Sequence, residues 1–177
     1  ADARVGEAID RLSSWDYSAP TGIPQGYDPG DNPNALPQPG QAEIDASVAA
    51  SIFAIWRGQA IRASVDAGLA KVGLGSVLPG GDDAYTSFKF LLDYFPVLKG
   101  KGASGVTFFA ADGAPSPEAA RDYVLLKALK DGLDRFASAA FAPAFGGSTN
   151  LGDYRWGRLH RIVFSHPLGP TFSLPGN

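Results

Sequence analysis

The residue types best suited to chemistry crowd into one stretch near the end of the chain, DYRWGRLHRIVFSHPLG, Asp153 to Gly169. It holds both of the chain's histidines, His160 and His166, together with Trp156, Gly157 and three Arg residues. Alternation over Leu159 to Phe164 predicts a short strand ended by Pro167, with His160, Ile162 and Phe164 on one face and Leu159, Arg161 and Val163 on the other. Two His of the same parity could open a zinc site. Zinc wants further ligands at suitable spacing, and only carboxylates such as Asp153 stand nearby. Ser165, a His and Asp153 could sketch a Ser-His-Asp hydrolase. No G-x-S-x-G nucleophile elbow occurs, however, and the neighbours Ser165 and His166 point to opposite sides of a strand. The favoured reading is structural: Trp156 fills a pocket, Gly157 admits another backbone, and His160 is hydrogen-bonded in a partly buried position.

These residues have to be positioned by the elements before them. Val5, Ile9 and Leu12 predict a short helix ending near Ser14, with Arg4, Glu7, Asp10 and Arg11 on its wet side. Residues 18–40 hold six Pro and four Gly, too many breakers for regular structure, and read as a long loop adhering to a neighbouring surface through Ile23, Tyr27 and Leu36. Ile44, Val48, Ile52, Ile55, Trp56, Ile61, Val65 and Leu69 sustain an Ala-padded helical stripe that Gly73 and Gly75 end, a core helix whose small faces allow close approach. Asp82 and Asp83 favour the start of a third helix over a metal site, and Tyr85, Phe88, Leu91, Leu92 and Phe95 carry it to Pro96. A loop over Lys99 to Gly105 precedes an expected short strand, Val106 to Phe109. Ser116 as N-cap and Pro117 at the first helical position then open a helix carrying Tyr123, Val124, Leu126, Leu129, Leu133 and Phe136.

Composition narrows the function classes. At 177 residues, 45% hydrophobic and 19% charged, the chain can bury a sizeable core. A net charge of −3 leaves no basic footprint for nucleic acid. There is no Cys, hence no disulfide, thiolate site or Cys nucleophile. The apolar run Ala46 to Trp56 is cut by Arg57, well short of the roughly 20 residues a membrane span needs. No phosphate-cradling loop, dinucleotide fingerprint or H-E-x-x-H occurs. Met is absent too, and Ala1 reads either as the residue after a removed initiator or as an end cut inside a longer precursor.

Three co-linear segments carry a resemblance. RWGRLHRIVFSHPLG, from Arg155, resembles the tryptophan-glycine-x-x-histidine stretch followed by histidine-proline-leucine near the end of the β chain of penicillin amidase-like acylases. LSSWD, Leu12 to Asp16, is similar to the family's leucine-x-x-tryptophan-aspartate, and SVAASIFAIW, Ser47 to Trp56, to the helix that follows it. The motif residues are thus Trp15, Asp16, Trp56, Trp156, Gly157, His160 and His166, with a structural role. The resemblance covers roughly Ala1 to Leu168.

It implies an α+β class, a mostly helical segment with a few strands, forming part of a four-layered αββα N-terminal-nucleophile hydrolase assembled with other chains. Residues 1–177 would be one segment, the late portion of a β chain. In such enzymes a β-chain N-terminal Ser attacks an amide, its own α-amino group serves as base, and an oxyanion hole steadies the intermediate. Ala1 departs from that pattern, so no catalytic residue is carried over. The nucleophile, the α chain and the earlier β segment are expected as partners, with any calcium on partner polypeptide and no cofactor on this chain. A small-molecule amide would be the substrate: a penicillin, an acyl-homoserine lactone, a glutaryl-cephalosporin or a lipopeptide. Kinship also implies autoproteolytic processing and a periplasmic or secreted location; from charge and the short apolar run, neither membrane nor nucleic acid is expected as a partner. The rival reading is a non-catalytic helical binding or scaffolding module.

Overall fold

The computed structural model describes residues 2–160 apart from 27, 33, 34, 36 and 37. Helices dominate. α1 spans Ala3–Ser13, α2 Gln41–Ile61, and a π turn at Arg62–Asp66 leads without a break into α3, Ala67–Lys71. α4 is Gly81–Asp93, α5 Phe95–Leu98, α6 Pro117–Phe136, α7 Ala142–Phe145 and α8 Trp156–Leu159, with 3-10 turns at Ala139–Phe141 and Leu151–Asp153.

The chain folds as two compact units. Of the described residues, one unit joins residues 2–5 with Ala54–Asp134; the other joins Gly6–Phe53 with residues 135–160.

The first unit is built on Ala60, Val65, Phe88, Leu91, Phe95, Phe109, Val124 and Ala128, all buried. Phe95 meets Phe109 edge-on at 5.8 Å, and Trp56 meets Phe88 at 6.2 Å. The Trp56 indole N–H donates to the Leu125 carbonyl at 3.1 Å, so the large ring is buried without stranding its donor. α3 ends in a Schellman turn: the Leu74 N–H donates to the Leu69 carbonyl and the Gly73 N–H to the Ala70 carbonyl, with Gly73 at φ +81°. α6 starts as its sequence requires, the Ser116 hydroxyl accepting from the Ala119 N–H. Pro96 sits in the first turn of α5, where its missing N–H has no helical partner to lose.

The second unit packs an aromatic cluster. Phe136 lies 5.0 Å from Phe141, 5.0 Å from Phe145 and 4.9 Å from Tyr154, and the wholly buried Tyr154 donates its hydroxyl to the Ser148 carbonyl. The described part of the 18–40 loop has no regular structure, as its Pro and Gly content predicts.

Several expectations need correction. The strand at Val106 to Phe109 is one antiparallel bridge, Lys101 to Thr107. Its two bonds run from the Gly102 N–H to the Val106 carbonyl and from the Phe108 N–H to the Gly100 carbonyl; on the inner side the chain turns back, the Gly105 N–H donating to the Gly102 carbonyl, and on the outer side Lys99, at φ +49°, ends α5 instead of extending a strand. Leu159 closes helix α8 instead of opening a strand, and the rest of that expected strand lies outside the described residues. In α1 the innermost residue is Ala8, while Ile9 is exposed. Tyr123 and Leu126 point outward from α6, because Val124, Ala128, Leu129, Leu133 and Phe136 already fill its inner face. The mostly helical character stands; the few strands do not appear among the described residues.

Replacing Phe136 by Ala removes the ring to which three aromatics pack, and is expected to cost about 3–5 kcal/mol, read as a fall in thermal midpoint. Acid is expected to loosen the first unit. A hydrogen bond from Arg4 lowers the Asp2 carboxyl to about 2, and hydrogen bonds from Lys130 and then Arg4 lower Asp134. Folded pKa values below the unfolded ones contribute stability above the ordinary carboxylate value of 3.8 that is lost as pH falls towards 2. Thermal midpoints against pH should therefore drop in that window, and Asp2→Asn should flatten the drop.

Candidate functional site

The site is assembled on the first half of α2, inside the second unit. Ser47, fully buried, projects from that helix towards the loop. Its hydroxyl donates to the Thr21 carbonyl at 2.9 Å and accepts the Trp156 N–H at 2.8 Å. The same Thr21 carbonyl accepts the Gly157 N–H at 2.8 Å, so both of its lone pairs are engaged. Thr21 in turn donates its N–H and its hydroxyl to the Asp28 carboxylate, and Arg155 reaches the Gly22 carbonyl at 2.8 Å.

Close approach explains the glycines. A Cβ on Gly157 would lie 2.7 Å from the Thr21 carbonyl oxygen and 2.8 Å from Ile23 Cγ1. Gly22, at φ +62°, would put a Cβ 2.5 Å from the Ser47 side chain.

Trp15 and Asp16 lie on the same unit. The Trp15 ring sits 5.4 Å from Phe53 of α2 and its indole N–H donates to the Ser18 carbonyl at 2.7 Å. Asp16 accepts from the Ser18 hydroxyl at 2.6 Å and the Ser18 N–H at 2.9 Å, which holds its carboxyl below the usual range. These bonds close a tight bend in which Tyr17, at φ +66°, is 84% exposed.

Two half-open cavities flank this bend. One, of about 400 Å³, is lined by residues including Asp16, Pro20, Asp28 and Glu43; the other, of about 480 Å³, by residues including Asp10, Arg11, Trp15 and Asp45. They share Asp16, Ala42 and Ala46, so they adjoin along one side of α2.

Of the motif residues expected from the sequence, Trp15, Asp16, Trp156, Gly157 and His160 all belong to the second unit, whereas Trp56 serves the core of the first. His166 lies outside the described residues, as does Ser165. Gly157 admits another backbone as expected. His160 differs from its expected place: it is exposed and stacks its ring on Trp156, centroids 3.8 Å apart and planes 23° apart. α8 ends at that point, so the imidazole lies along the indole at the rim instead of turning inward. Asp153, the acid of the hydrolase sketch, accepts from the Ser148 hydroxyl at 2.6 Å. Among the described residues no three His, Asp or Glu gather where they could hold a metal ion, and no helix is long and apolar enough to cross a membrane.

Reading the sequence missed Ser47 as the point where these segments meet. The available signal was a Ser in an Ala-rich helix face, which announces close approach without naming what approaches.

The profile of the family described as penicillin amidase matches residues 1–177. The chain belongs to the penicillin amidase family. Membership carries an amidohydrolase-related function and hydrolase activity in general. No curated protein and no solved structure matches the chain.

Two serines one turn apart on α2 provide a test. Ser47→Ala removes the donor to Thr21 and strands the Trp156 N–H, and should cost about 1–3 kcal/mol. Ser51 is equally buried, yet its hydroxyl finds no partner among the described residues, so Ser51→Ala should leave the thermal midpoint unchanged or raise it. Gly157→Ala forces the contacts above and should destabilise by about 1–3 kcal/mol, whereas His160→Ala at the exposed rim should stay within about 0.5 kcal/mol. Thermal melts of the four variants check all of this.

Proposed function

We propose that the chain is the late β-chain portion of a penicillin acylase-like amidohydrolase, cleaving the bond between an acyl group and an amine. The observation that carries this reading is the family match over residues 1–177, which takes in all three quoted segments. The nucleophile in this reading is a β-chain N-terminal Ser on companion polypeptide, its α-amino group acting as base, with the oxyanion hole alongside. The 177 residues then supply scaffold. The second unit ties the Pro/Gly loop and the Trp156–Gly157 helix to α2, and the first adds a separate helical core. The αββα layers, the α chain, autoproteolytic processing and any calcium belong to that larger assembly, and an exported location follows from the same kinship. Candidate substrates are penicillins, acyl-homoserine lactones, glutaryl-cephalosporins and lipopeptides.

The engagement of the described polar groups favours scaffold over catalysis. Ser47 is locked between Thr21 and Trp156, Asp153 is held by Ser148, and Asp16 is held by Ser18, so each is committed to structure.

The test is to purify the native enzyme, read every N-terminus by mass spectrometry, and assay amide hydrolysis with a panel of those four substrate classes. Expected are additional chains, one starting with Ser, and activity abolished when that Ser is replaced by Ala. Turnover by the 177-residue chain alone, at the rate of the native material, would overturn the reading. Folded chain without turnover in any assembly would favour a binding or scaffolding module.

A further inference from the structure

We propose that the groove along the first turns of α2 is a docking site for a basic, extended polypeptide segment. The two adjoining cavities make it elongated, and the described residues lining both belong to the second unit. Its charge is strongly one-sided. Among the described lining residues, Asp10, Asp16, Asp28, Glu43 and Asp45 stand against one guanidinium, that of Arg11. Arg11 is itself spent on Glu7 at 2.9 Å and Asp45 at 3.0 Å. The chain's whole net charge is only −3, so the groove concentrates more negative charge than the molecule carries on balance. A trough of one sign between low-dielectric walls raises the local concentration of the opposite charge.

The spacing of the carboxylates decides what kind of cation fits. No three acids among the described residues converge as metal ligands, so the charge is spread along the trough instead of focused on a point. Spread charge matches Lys or Arg side chains on an extended chain, where residues on one face repeat every ~7 Å. The apolar part of the lining suits their stems. Trp15, Pro20, Ala42 and Ala46 present apolar surface along which a long basic side chain lays its methylenes while its head meets the carboxylates. Beside it stands Tyr17, 84% exposed with its ring 5.4 Å from that of Trp15, an aromatic face on which a cation can rest. The inference needs the groove alone and does not depend on the acylase reading.

The test uses the full chain and a fluorescein-labelled decapeptide of alternating Lys and Ala, followed by anisotropy. Expected is saturable binding that weakens with salt, falls about tenfold for Glu43→Gln with Asp45→Asn, and falls measurably for Asp10→Asn alone. Ala42→Trp, at a residue that lines both cavities, should obstruct the groove and remove binding with no change in charge. Asp82→Asn with Asp83→Asn, an acidic pair in the first unit, should leave binding intact. Circular dichroism confirms that each variant is folded, and Asp10→Asn, whose side chain has no hydrogen-bond or ion-pair partner among the described residues, keeps the test open should the double variant unfold. The proposal is overturned by no binding, by equal binding of a Glu-Ala decapeptide, by equal weakening in the Asp82 and Asp83 variant, or by an Ala42→Trp chain that binds as before.

Discussion

The second unit depends on one backbone oxygen, the carbonyl of Thr21. It accepts the Ser47 hydroxyl and the Gly157 N–H together, while the Ser47 oxygen accepts the Trp156 N–H. Three stretches far apart in the chain meet there: the Pro/Gly loop, α2 and α8. Ser47 is fully buried and polar groups so placed are expensive to leave unpaired, so Thr21 of the loop, α2 and α8 hold this arrangement together. A stretch with six Pro and four Gly would otherwise have little reason to hold one conformation.

That arrangement also explains why small residues recur where they do. Gly22 and Gly157 flank the junction, and each faces an atom that would lie within 3 Å of an added Cβ. The first unit solves its packing differently, with a cluster of large apolar side chains and Trp56 pinned by its indole N–H to Leu125. Membership of the penicillin amidase family gives the whole chain a context in hydrolysis, and in the reading favoured here the polar groups of the junction serve structure while the reacting groups sit on companion polypeptide.

Much of the helical framework was legible. The stripe from Ile44 to Leu69, the Gly73 stop, the Ser116 cap with Pro117 behind it and the acidic start at Asp82 are local signals, settled by neighbours three or four residues away. Failures came where a longer-range contact decided. Ile9 lies on the expected stripe, yet Ala8 takes the buried place. Tyr123 and Leu126 look like core residues by type and face outward. The π turn at Arg62–Asp66 has no local mark, since one extra residue in a helix shifts the face without altering composition. At Leu159 the alternation suggested a strand, but no paired strand accompanies it among the described residues and the backbone closes a helical turn instead.

The candidate site divides along the same line. By itself the sequence determined the helices, their caps, the irregular loop, the absence of thiol chemistry and the motif segments by which the family is recognised, because each follows from residue type and short spacing. Only tertiary structure decided that Ser47 joins Thr21 to Trp156, that Asp16 is spoken for by Ser18, that His160 lies stacked at the rim, and that five carboxylates share one trough. Whether a hydroxyl meets an N–H 109 positions away, and which neighbour a side chain turns to at a bend or a helix end, depends on where the backbone passes, and a pattern of residue types contains no distance.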